Sequence, residues 1–91
     1  MNWTEEMQGW AGRFIEIRIE DQAGDDPIAQ PRIEMLAKLR MSDDGDVLEW
    51  YFNDRQFLAV PVYNDGRTVR EGKLFRSADE GNKLVYRIAL I

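Results

Sequence analysis

Carboxylates and arginines are the main groups in this chain of 91 residues that could do chemistry, because it contains no histidine and no cysteine. Histidine is the commonest general base and metal ligand near neutral pH, and cysteine supplies thiolates. The composition therefore excludes Ser–His–Asp and Cys–His catalytic sites, disulfides, and zinc sites built from Cys and His. We predict neither a metal nor any other cofactor.

Seventeen acidic residues leave carboxylate chemistry open, and Glu49 is the strongest candidate. It stands between Leu48 and Trp50, where burial would raise its pKa as a general acid requires. Strand alternation favours the opposite interpretation, in which Glu49 points to solvent while its two neighbours point inward. We rank an enzyme that uses Glu49 and an arginine third among three functional hypotheses, and we predict that the protein is not an enzyme.

The acidic segment at residues 43–46, Asp-Asp-Gly-Asp, resembles a calcium loop only in its density of carboxylates. The Asp-x-Asp-x-Asp-Gly order and the distant bidentate glutamate of such a loop are missing. We therefore predict a solvated turn between two strands.

Charge is distributed unevenly along the chain. Residues 1–54 carry a net charge of −8 and residues 55–91 a net charge of +3. Basic residues near aromatic ones in the second half could form a surface for single-stranded nucleic acid. The candidates are Arg67, Arg70, Lys73, Arg76 and Arg87. Because the overall charge of −5 repels a polyanion, a nucleic-acid-binding small β-barrel is our second hypothesis, and we expect nucleic acid not to be the partner.

Binding to another protein is the first hypothesis. Acidic clusters could imitate a phosphate backbone and occupy a basic groove of a partner, as a small acidic inhibitor or immunity-type protein would, and tryptophan is enriched at interface hot spots. A solvated acidic surface and a helix docked on the core would explain the same residues. The predicted partner-binding residues are Trp3, Trp10, Asp25, Asp26, Asp43, Asp44 and Asp46.

The elements that must position these residues are mostly strands. β-Branched and aromatic residues crowd both arms of 47–63, and the polar pair Asn53-Asp54 between them predicts a hairpin. The second arm, 57–63, is apolar on both faces, which predicts a central or sandwiched strand, whereas Pro61 requires a sheet edge or a bulge. In 13–20, isoleucines alternate with charged residues and predict a strand with one wet face.

Two further segments resist a simple assignment. Residues 32–41 alternate strictly except at Leu36, which favours a strand, although their composition favours a helix. Residues 68–76 predict a strand with a bulge or sharp bend at Gly72. Residues 2–10 predict a short helix capped by Asn2, and 83–91 are apolar enough to predict a strand inside the sheet.

Together these segments predict one mainly β domain spanning residues 1–91, an antiparallel barrel or sandwich of about six strands with a short N-terminal helix. The alternative is an α+β fold in which 32–41 is helical. No apolar run approaches the length of a membrane helix, so we expect a cytoplasmic protein without a membrane partner. Exposed strand edges pair readily, so a homo-oligomer formed through a sheet edge is also expected.

Overall fold

In the computed structural model, the described residues, 2–22 and 30–91, form eight strands in two antiparallel sheets. A short helix, α1 (Trp3–Met7), and one 3₁₀ turn (Gln8–Trp10) precede them. The strands are β1 (Phe14–Asp21), β2 (Arg32–Met35), β3 (Lys38–Met41), β4 (Val47–Tyr51), β5 (Phe57–Pro61), β6 (Thr68–Glu71), β7 (Leu74–Asp79) and β8 (Leu84–Leu90). The mainly β prediction with a short N-terminal helix is confirmed.

Residues 32–41 form two strands that belong to different sheets. The larger sheet has the order β2-β1-β8-β7-β6 and the smaller one the order β3-β4-β5. At the crossing, the N–H of Leu36 donates to the carbonyl of Arg13 at 2.9 Å, and the N–H of Ala37 donates to Tyr51 at 2.7 Å. The break in alternation at Leu36 therefore marks the corner where the chain leaves one sheet for the other.

Gly72 likewise separates two strands instead of bending one. Glu71 pairs with Leu74, so Gly72 and Lys73 form a two-residue hairpin turn between β6 and β7. Gly72 has a φ of 58°, and glycine adopts this left-handed conformation without the cost that a Cβ imposes. The chain therefore reverses its direction at Gly72, where a bulge or bend was predicted. This reversal and the corner at Leu36 each divide a predicted strand in two, so the number of strands is eight and not six.

Two other strand predictions have clear outcomes. β8 lies between β1 and β7, as its apolar sequence predicted. β5 is an edge strand of the smaller sheet, and the prediction of a central position from its apolar faces was wrong. Pro61 decided the outcome, since proline lacks the N–H that a strand inside a sheet donates.

Aromatic rings join the helix to both sheets. The ring centroid of Trp50 on β4 lies 5.0 Å from that of Phe75 on β7 and 6.1 Å from that of Trp10. Trp3 meets Phe75 edge-on at 5.6 Å. Asn2 holds the helix in place by accepting hydrogen bonds from the N–H groups of Thr4 and Glu5 at 3.0 and 3.3 Å. The helix therefore covers the core between the sheets.

Buried polar groups also link the sheets. The hydroxyls of Thr68 and Ser77 lie 2.8 Å apart on neighbouring strands, Ser77 donates to the carbonyl of Pro61, and Thr68 accepts from the N–H of Tyr63 at 2.9 Å. The indole N–H groups of Trp3 and Trp50, in contrast, have no hydrogen-bond partner among the described residues. An unpaired buried donor costs about 1–3 kcal/mol, so hydrophobic packing has to offset this in the core.

Candidate functional site: the outer face of the larger sheet

One face of the larger sheet is turned away from the core. Ile15 and Ile17 of β1, Phe75 of β7 and Ile88 of β8 are buried between the sheets. Because side chains alternate along a strand, the residues between them point the other way and form what we call the outer face. This face carries both charged and large apolar side chains.

Three arginines form one row across the outer face. Arg18 of β1 is directly opposite Arg87 of β8, which is directly opposite Arg76 of β7. Like charges in opposed positions destabilise a sheet unless acids neutralise them. Glu16 accepts a hydrogen bond from Nε of Arg18 at 3.0 Å, and Glu20 accepts one from Nε of Arg87. Two of the three charges in this arginine row are therefore balanced.

Arg76 is the third arginine of this row. Its side chain makes no hydrogen bond or ion pair with the residues that the structure describes, although it is only partly exposed. It lines a pocket of about 210 Å³ together with Val69, Glu71, Leu74 and Arg87. This pocket therefore combines two adjacent guanidinium groups with apolar walls and one carboxylate.

Large apolar side chains form a second feature near β2. Phe14 is 53% exposed, Ile33 61%, Met35 40% and Ile91 59%. Met35 pairs with Phe14 across the strands, and the N–H of Ile91 donates to the carbonyl of Phe14 at 3.1 Å, so these three are neighbours. Ile33 pairs with Glu16, one row further along. Exposed clusters of this kind are typical of interaction sites, and we call these four residues the apolar patch.

The predicted partner-binding residues that the structure describes do not belong to the outer face. Trp3 and Trp10 are only 5% and 2% exposed, so their rings belong to the core and offer almost no surface to a partner. Asp25 and Asp26 lie outside the described residues. Asp43, Asp44 and Asp46 form the turn between β3 and β4 in the smaller sheet. The structure thus does not bring the two tryptophans and the three aspartates of this turn together on one surface.

The acidic turn is stabilised by its own side chains. Asp44 accepts hydrogen bonds from the hydroxyl of Ser42 at 2.6 Å and from the N–H of Asp46 at 3.0 Å. Both hydrogen bonds hold the pKa of Asp44 below its usual value, and the bond from Ser42 has the larger effect. Asp43 lies 3.4 Å from Arg40. Within residues 2–22 and 30–91, no cluster of three or more carboxylates has the geometry of a metal site.

The predicted nucleic-acid-binding residues also separate. Arg67 bonds to Asp65, which raises the pKa of Arg67 and lowers that of Asp65, and its guanidinium lies 3.8 Å from the centroid of the Tyr63 ring. Arg70 lies on the core side, opposite Phe75, and donates to the carbonyl of Glu6.

Lys73 lies in the turn after β6. Only Arg76 and Arg87, among the five candidates, are cross-strand neighbours.

Glu49 points away from the core, as alternation predicted, but its side chain is only 14% exposed to solvent. Its carboxylate accepts hydrogen bonds from Arg40 at 3.0 Å and from the hydroxyl of Tyr51 at 3.2 Å. The bond to Glu49 is the main cause of the raised pKa of Arg40. Glu49 and Arg40 therefore form an ion pair between β4 and β3, and the hydroxyl of Tyr51 also fixes the position of the carboxylate.

Sequence reasoning missed the apolar patch, although a signal was present. Once Ile15 and Ile17 are assigned to the core, Phe14 has to point outward among charged residues, which is unusual for an aromatic side chain. The pairing of Arg76 with Arg87 was beyond reach, because it depends on the register of two strands that only the folded sheet defines.

Comparison with known proteins adds no identification: no family model, no curated protein and no solved structure matches this chain. Of the helices in the described part of the chain, none has the length and apolar character needed to cross a membrane.

Proposed function

We propose that this protein is a non-catalytic protein-binding module that contacts its partner through the outer face of the larger sheet. The observation that supports this most directly is the apolar patch, in which four large side chains are 40–61% exposed. Covering the exposed halves of four such side chains would contribute about 3–6 kcal/mol before the cost of association. A cluster of this size has no role in the packing of the core.

The charged groups fit the same proposal. The arginine row adjoins the apolar patch through Glu16, so a partner could contact both. A non-catalytic role is favoured because histidine and cysteine are lacking and Glu49 is held by Arg40 and Tyr51. We keep the cytoplasm as the proposed location, since a chain without cysteine has no disulfide that would require an oxidising compartment.

Substitutions on the two sheets can test this surface. The double variant Phe14→Ser/Ile33→Ser should lower partner retention at least tenfold in a pull-down from the native host, because it removes two of the four exposed side chains of the apolar patch. Phe57→Ser is the matched control, since Phe57 is 47% exposed but lies on the smaller sheet. It should retain the partner as well as the unmodified protein does.

Other outcomes would redirect the proposal. Equal retention by the double variant and the unmodified protein would contradict a role for the outer face. Loss of binding in Asp43→Asn/Asp46→Asn would instead support the acidic-inhibitor hypothesis, which uses the turn on the smaller sheet. Capture of a second copy of the chain would identify the partner as the predicted homo-oligomer. Urea unfolding of each variant would show that differences in retention do not arise from misfolding.

A further inference from the structure

We infer that the pocket beside Arg76 binds a carboxylate that is attached to an apolar group. In this site, Arg76 and Arg87 hold the carboxylate, and Val69 and Leu74 contact the apolar group. The inference deepens the proposed function by giving the partner's chemistry, an Asp or Glu side chain flanked by apolar residues. It rests on that function only for the source of the natural carboxylate.

The positive charge of the pocket is available to a ligand. Arg76 has no acceptor among the described residues, and Arg87 uses Nε for Glu20, which leaves its terminal nitrogens without a bond to those residues. Opposed arginines repel each other, and a bound anion would relieve that repulsion. Guanidinium groups also suit a carboxylate geometrically, because they offer paired donors in one plane.

The size of the pocket limits the ligand. Its volume of about 210 Å³ is below the range of roughly 300–1,000 Å³ that is typical of sites for drug-sized molecules. Val69 and Leu74 are half-buried and form its apolar wall. A single side chain or a small organic acid therefore fits better than a larger cofactor.

Charge favours a carboxylate over a phosphate or a nucleic acid. Within the arginine row, Arg76 has no acid partner among the described residues, so one guanidinium is left for a ligand, which suits a monoanion. Glu71 lies in the lining and would repel a dianion more strongly than a monoanion. The net charge of −5 opposes the approach of a phosphate polymer.

Phenylacetate is a suitable probe because it joins one carboxylate to one apolar ring. We expect a titration followed by amide chemical shifts to give a dissociation constant of about 1–10 mM, in keeping with so few ligand atoms. The largest shifts should fall on Val69, Leu74, Arg76 and Arg87. Phenylacetamide, which has nearly the same shape without the charge, should cause no comparable shifts.

Substitutions inside and outside the pocket test whether phenylacetate binds at Arg76. Arg76→Gln should weaken phenylacetate binding about tenfold, whereas Arg55→Gln, in the loop between β4 and β5, should leave it unchanged. Equal binding of phenylacetamide, equal or tighter binding of inorganic phosphate, or an unaffected Arg76→Gln variant would overturn the inference. Phe14→Ser/Ile33→Ser should still bind phenylacetate, because the apolar patch shares no residue with the pocket. Failure of this site and failure of the proposed function are therefore distinguishable.

Discussion

The two sheets differ in how the charged and aromatic side chains on the faces turned away from the core are paired. On the smaller sheet, Arg40 pairs with Glu49, and Tyr51 donates to the same carboxylate. The ring of Tyr51 also stacks on Phe57 at 4.8 Å and receives the ammonium of Lys38 at the same distance. On the larger sheet, Arg76 has no such partner among the described residues, and the ring of Phe14 has no ring or cation contact with them.

On the smaller sheet, these charged and aromatic side chains pair with one another, whereas the outer face of the larger sheet leaves some of its side chains without partners among the described residues. Contacts within a face stabilise the fold but leave fewer groups for a partner to engage. The outer face of the larger sheet keeps a charge and several apolar side chains available, at some expense of stability. A side chain that pairs within its own face stabilises the fold, whereas an unpaired one is available to a partner. Substitutions on the two faces should therefore change stability in different directions.

The largest expected effect comes from breaking the core that both sheets share. Trp50→Ala removes the ring that touches Phe75 across the sheets and should lower the free energy of unfolding by about 3–5 kcal/mol in urea denaturation. Trp50→Phe should cost much less, because it keeps an aromatic ring and removes a buried N–H that lacks a partner among the described residues. A similar loss in both variants would mean that ring contact is not what joins the sheets.

Sequence patterns predicted this layered fold well, because alternation reports which face of a strand is buried. Alternation alone assigns Ile15 and Ile17 of β1, and Leu48 and Trp50 of β4, to the buried faces of their strands, and all four are buried. The same rule gave Glu49 its outward position. Trp3 and Trp10 show the limit of such reasoning, since a helical stripe suits a core and an interface equally until the neighbouring elements are known.

The candidate site was less predictable because it depends on contacts between distant segments. β6, β7 and β8 had to take their register before Arg76 and Arg87 could become neighbours. Leu36 similarly appeared only as an irregularity, although it marks the passage between sheets. A single sequence specifies the faces of strands more clearly than it specifies which strands meet.

An intermediate effect is expected at the polar link between the sheets. Ser77→Ala removes the hydroxyl that meets Thr68 and donates to Pro61, and should cost about 1–3 kcal/mol because buried polar groups lose their partner. Thr68→Val should cost a similar amount. The double variant should be less destabilised than the sum of both, since the two hydroxyls share one network. Strictly additive losses would show that the two hydroxyls act independently.

The smallest effects sharpen the comparison most, because they should have opposite signs on the two faces. Glu49→Gln removes the charge that pairs with Arg40 at 3.0 Å on the smaller sheet and should lower the midpoint of urea unfolding. Arg76→Gln removes a charge opposed to Arg87 on the larger sheet and should raise stability by about 0.2–0.5 kcal/mol. Arg55→Gln, in an exposed loop, provides the neutral reference.

If Arg76→Gln destabilised the protein as Glu49→Gln does, Arg76 would be making a stabilising contact within the chain. The outer face of the larger sheet would then be as complete as that of the smaller one, and the contrast on which a binding role depends would disappear. A gain in stability at Arg76, combined with a loss of phenylacetate binding in the same variant, would show instead that this residue is retained for what it binds. Stability alone would not select an arginine opposite another arginine.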